Sequence, residues 1–205
     1  MHLQRKIAAP LVLGTSVLTI VGLALAPTNA SAITQNVTVS ATINSTISMT
    51  TTTQGTSNTV SFSLTPGGSA VLSSAKDTVT INCNSTNGYT LTLADVDATT
   101  TLVSGGNSIA ASGNTTAAPT TLANDTWGFA TPGAPFDATY SAESNSTTST
   151  SKWAGMPASG SPFTLKNTSA VATNDTTDIW YAAKVTSAKP TGTYSDIVVY
   201  TATAK

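Results

Sequence analysis

The chain has 205 residues, of which 40% are hydrophobic and only 8% charged, against about 25% charged in an ordinary globular domain. That apolar share, spread over short repeated runs, excludes a disordered polar stalk. A formal charge of −1 with no basic cluster excludes binding to nucleic acid or anionic lipid by electrostatics.

The N-terminus reads as a secretory signal peptide. A basic "MHLQRK" precedes the apolar run "IAAPLVLGTSVLTIVGLALAP", and "TNASA" sets Ala30 and Ala32 in an A-x-A arrangement. An uncleaved anchor is the competing reading, because the run could span about 30 Å of hydrocarbon. Pro10, Gly14 and the small residues favour cleavage after Ala32, leaving residues 33–205 as one domain with no membrane span. Cleavage removes Arg5, Lys6 and His2, so six lysines face nine acids, a formal charge of −3, and no histidine remains. The expected location is extracellular, secreted or at the cell surface.

Period-2 alternation then recurs along the chain. "NVTVSATI" sets Val37, Val39, Ala41 and Ile43 on one face, and "TVSFSLT" does the same with Val60, Phe62 and Leu64 before the turn "TPGG". "VTINC" points Val79, Ile81 and Cys83 inward, and "YTLTL" answers with Tyr89, Leu91 and Leu93. Between these two, Asn87-Gly88 suits a hairpin turn. "WGFA", "FTL", "IWYAAKV" and "YSDIVVYTATA" follow, the last two separated by turn residues Pro190 and Gly192. Two long loops, about 99–121 and 131–161, interrupt the series; "LVSG" and "SIAA" in the first are candidate edge strands. Eight or nine strands and no convincing helix predict an all-β antiparallel sandwich of immunoglobulin-like or jelly-roll type.

The runs "DTVTINCNSTNGYTLTLADVD", "TWGFA" and "DIWYAAKVTSAKPTGTYSDIVVYTATAK" resemble a family of exported surface proteins of candidate-phylum bacteria, from about Lys76 to the C-terminus. The resemblance implies a secreted β-sandwich without known catalytic residues. The chain also faintly resembles Gram-positive W-x-L cell-wall-binding domains, but its tryptophans read WGF, WAG and WYA.

Chemistry is sparse. Without a mature histidine, Ser-His-Asp and Cys-His schemes lack their base, and one cysteine cannot build a zinc site. A glycosidase needs paired carboxylates, and Glu143 stands alone with eight aspartates. Its place outside the strand pattern also argues against an acid-catalysed lysine–asparagine crosslink, although an aspartate could substitute. Asp95 and Asp97 form a D-x-D that could offer calcium two oxygens, but no full calcium loop follows and turn capping is the stronger reading. Asn174, Asp175 and Asp178 in "TNDTTD" carry the same ambiguity. No metal or cofactor is therefore expected. The N-x-S/T triplets at Asn36, Asn84, Asn114, Asn145, Asn167 and Asn174 follow from composition.

Trp127 and Trp180 sit in strand-like runs and read as core anchors. Trp153, in "TSTSKWAGMPASG", has no alternation around it and is the one candidate ligand contact, with a loop plug as the alternative. Cys83 reads as a buried small hydrophobe, with an intermolecular disulfide as the alternative. The expectation is a non-enzymatic structural or adhesive protein at a cell envelope or glycan surface. A carbohydrate- or cell-wall-binding module is the second reading. The strand "NVTVSATI" could link neighbouring copies by strand addition or serve as the first strand of its own sandwich. No sortase-type signal precedes "YTATAK", so surface attachment is expected to be non-covalent or by assembly.

Overall fold

The computed structural model describes residues 35–53 and 58–205. The expected signal peptide lies outside them. Contacts divide the chain after Thr42, and the unit from Ile43 to Lys205 is an all-β sandwich of nine strands. The strands are β1 (Ile47–Thr53), β2 (Val71–Cys83), β3 (Tyr89–Asp95), β4 (Thr101–Ser104) and β5 (Asn107–Ala111), then β6 (Thr126–Ala130), β7 (Phe163–Asn167), β8 (Ala172–Val185) and β9 (Val198–Ala204). Six form one sheet in the order β1-β2-β8-β6-β5-β4, and three form the other in the order β7-β3-β9. All pairings are antiparallel except the short parallel contact of β5 with β6.

The core between the sheets follows the alternation of the sequence. Val79, Ile81 and Cys83 of β2 are buried with Tyr89, Leu91 and Leu93 of β3. In β8 the alternation ends, because Ile179 to Ala183 are all buried. A strand covered on both faces needs apolar residues on both. Phe129 on one face meets Phe163 of β7 with ring centres 5.6 Å apart. Trp180 on the other face stacks on Tyr140 of the long loop at 6.4 Å. The 131–161 loop is therefore a second cover on the larger sheet.

"LVSG" and "SIAA" are strands β4 and β5, joined by Gly105-Gly106 with Gly105 at φ +58. Three expectations fail. "VTINC" and "YTLTL" do not pair as a hairpin, since β2 lies in the larger sheet and β3 in the smaller. The chain crosses from sheet to sheet through a turn closed by Gly88 N–H donating to Ser85 O at 3.0 Å. Gly88 has φ +80, and a Cβ there would lie 2.5 Å from Thr168 O. The turn forms at the expected residues, but it joins strands of different sheets. "NVTVSATI" carries no strand either; the first strand is Ile47–Thr53. "TVSFSLT" also joins no ladder, although Val60, Phe62 and Leu64 are half-buried against the core.

Candidate functional site

Trp153, the candidate ligand contact, presents no surface to solvent. It is 0% exposed, packed against Tyr140 with ring centres 5.3 Å apart. Its backbone N–H donates to Thr120 O at 2.8 Å, and its carbonyl accepts from Thr120 N–H and from Asn114 Nδ2. The loop-plug alternative describes it. Trp127 and Trp180 are buried as expected, and the Trp127 indole donates to Thr100 O at 3.1 Å. Cys83 is a free, buried thiol with Sγ 3.7 Å from Gly88 O.

Most polar side chains bind the fold together. Glu143 Oε1 accepts from the Ser149 and Ser151 hydroxyls, which holds the loop rather than activating a bond. Tyr181 of β8 and Tyr200 of β9 share a hydrogen bond across the sheets at 2.7 Å. Tyr200 also reaches buried Asp77. Burial raises the Asp77 carboxyl, with the Tyr200 hydrogen bond opposing it, and burial raises both tyrosine hydroxyls.

Asp175 and Asp178 are partners of lysines. Lys166 meets Asp175, whose other oxygen accepts from Tyr89 OH at 2.8 Å. Lys76 meets Asp178 at 2.9 Å and lies 5.9 Å from the Trp180 ring. Burial pushes both carboxyls up, but the hydrogen bonds and lysine charges outweigh it and leave them below the usual 3.8. A folded value below the unfolded one adds stability above pH 3.8, and that stability is lost as pH falls through the folded value. The pairs are partly exposed, so each contributes on the order of 0.5 kcal/mol after screening. Asp178→Asn should therefore lower urea stability slightly at pH 7 and not at pH 2; an equal loss at both would remove the ion pair as its cause.

Three other carboxylates gather at one end of the smaller sheet. Asp95 follows Tyr89, Leu91 and Leu93 on the inward face of β3 and is 1% exposed. It is registered with Val198 of β9, and Val96 N–H donates to Ile197 O at 3.0 Å. Asp97 and Asp196 lie just past the end of this ladder, two residues after Asp95 and two before Val198, with Asp97 exposed and Asp196 half-buried. Asp95 Oδ1 accepts Asp97 N–H at 3.0 Å, and Asp97 Oδ1 accepts Thr99 N–H. That is the turn capping expected of the D-x-D. It uses one oxygen of Asp95, however. Asp95 Oδ2 and Asp196 Oδ2 are buried without a hydrogen-bond partner among the described residues. Burial pushes the Asp196 carboxyl up to about 6; Ile197 N–H opposes this, and Asp95 and then Asp97 add to it. The ion pairs among the described residues use Asp137, Asp175 and Asp178, so no lysine pairs with this group. Among the described residues no three His, Cys, Asp or Glu side chains converge to hold a metal ion by themselves. Asp196 has no local signal in the sequence, since it meets Asp95 only where the chain enters β9 beside the end of β3.

The remaining candidate is the N-terminal segment. Residues 35–46 carry no strand, and Val37, Val39 and Ile43 are 80%, 90% and 87% exposed. Two surface depressions, of about 280 and 430 Å³, hold no cluster of titratable groups. No helix of the described residues is long and apolar enough to cross a membrane. Compared with family models, with curated proteins and with solved structures, the chain gives no match.

Proposed function

We propose that the protein is an exported, non-catalytic structural subunit that builds a cell-surface assembly by strand addition between copies. One observation carries this reading: Val37, Val39 and Ile43 alternate with hydroxyl residues in a segment that leaves all three in water. Alternation has value only when one face is buried against a sheet. A second copy offers such a face, because an extended segment gains main-chain hydrogen bonds on an open sheet edge and specificity from alternate side chains.

The favoured acceptor is the outer edge of β9. This edge strand has seven residues, no charged side chain and a regular in-out burial pattern. Uncharged, flat edges are the ones that accept another strand. Its inward Val198, Tyr200, Ala202 and Ala204 match a seven-residue donor with Val37, Val39, Ala41 and Ile43 inward. The competing edges are less suited: β7 carries Lys166 beside a register shift, β4 is bonded at Val103 by Ser195, and β1, though uncharged, lacks a regular in-out burial pattern.

The test compares the chain starting at Ile33 with one starting at Ile43, by sedimentation over a concentration series. The longer chain should form multimers and the shorter one folded monomers. Thr46 and Asn84, which tie the start of β1 to the end of β2, remain in both. Equal sizes for the two chains would end the proposal. Val39→Asp in the full mature chain should also give monomers.

A further inference from the structure

We propose that Asp95 and Asp196, with Asp97 at the rim, bind one divalent cation of the calcium type at the β3–β9 end of the sandwich. The inference does not depend on strand addition. It rests on two carboxylate oxygens, Asp95 Oδ2 and Asp196 Oδ2, that are buried and unpartnered among the described residues. Native structures rarely leave such oxygens unpaired, and a missing ion is one of the standard reasons. Asp95 closes the ladder opposite Val198, Asp196 lies two residues before Val198, and none of the lysine pairs reaches either. Two like charges held together out of water call for a positive partner.

The chemistry of the donors selects the class of ion. All are oxygens, with neither histidine nor thiol nearby, which suits a hard cation and not zinc. Three carboxylates do not converge as a complete cage. Calcium tolerates this, because it takes six to eight oxygens in flexible geometry and accepts main-chain carbonyls and water among them. Main chain is at hand, since the 157–159 segment packs here: Asp95 N–H donates to Pro157 O at 2.7 Å, and Ser159 N–H to Asp97 O at 2.9 Å. Asp97 is exposed, so the group opens to solvent on that side. The D-x-D therefore does two things: one oxygen of Asp95 caps the turn, and the other is left for the ion.

The experiment uses the mature chain freed of metal by chelator, at pH 7.5, with calorimetric titration of calcium chloride and thermal melts with and without it. The expected result is binding of one calcium per chain and a melting temperature raised by roughly 5 °C near saturation. Asp196→Asn and Asp95→Asn should melt cooperatively in chelator and lose the calcium response. Asp196 is only half-buried, so its variant keeps the test valid if Asp95→Asn fails to fold. No response to millimolar calcium, the outcome expected if a shared proton satisfies the pair, overturns the proposal. An equal shift with magnesium chloride, which would be charge screening, overturns it too, as does an undiminished response in Asp196→Asn.

Discussion

Trp153→Ala is expected to lower the unfolding free energy by about 3–5 kcal/mol, the range for deleting a large buried aromatic. The indole is fully buried and lies against Tyr140, which in turn stacks on Trp180 of β8. Removing it leaves a void between the long loop and the larger sheet, and the backbone around it cannot collapse freely. Thr120 bonds both the N–H and the carbonyl of residue 153, and Asn114 Nδ2 holds that carbonyl as well as Thr120 O and Thr121 O. Trp153→Phe separates size from polarity. The Trp153 Nε1 proton has no acceptor among the described residues, so phenylalanine removes a buried unpaired donor while keeping most of the ring. It should cost much less than alanine. Urea unfolding of the three proteins checks this. If Trp153→Ala leaves the midpoint unchanged, the loop is not part of the core, and a ligand-contact role for Trp153 would return.

The sequence showed faces far better than partners. Alternation located β3 and β9, whose inward residues are the more buried, and the unbroken runs "WGFA" and "IWYAA" are the mark of strands covered on both sides. It could not tell a hairpin from a crossing between sheets. The Ser85–Gly88 turn and the positive φ of Gly88 serve either connection, and the strands that pair with β3, namely β7 and β9, lie too far along the chain to be seen locally. Alternation in "NVTVSATI" and "TVSFSLT" likewise announced an apolar face without saying whether a ladder would form. The 131–161 loop was illegible for another reason. Its residues are fixed one at a time, Glu143 and Ser146 to the edge of β2 and Trp153 to Thr120, so no period appears. The carboxylate group was half legible: "DVD" stood out, while Asp196 meets it only where the chain enters β9.

Gly128→Ala should be, with Gly155→Ala, among the most damaging single-methyl changes of the described residues. Gly128 lies within β6 opposite Ala182, and its φ is not in the left-handed region, so backbone strain is not the issue. Space is. A Cβ at Gly128 would stand 2.1 Å from the carbonyl oxygen of Ala154. That oxygen belongs to backbone and accepts Phe129 N–H at 2.9 Å, while Ala154 N–H donates to Phe129 O at 2.9 Å. The methyl can be accommodated only if the 153–155 segment leaves β6, which would give up both bonds and the burial of Trp153 together. On the other side of the same segment, a Cβ at Gly155 would stand 1.9 Å from Ser112 O, so the segment has no room to retreat that way. The expected loss is above about 4 kcal/mol, a size reserved for broken cores and networks. Gly128→Ala should therefore give little soluble protein, or a protein without a cooperative melt. Gly67→Ala is the control, because nothing lies within 4 Å of its added methyl; its effect should stay within about 0.5 kcal/mol of zero. A well-folded Gly128→Ala protein with near-normal stability would mean that the loop does not pack on β6 as described, and the Trp153 argument would fall with it.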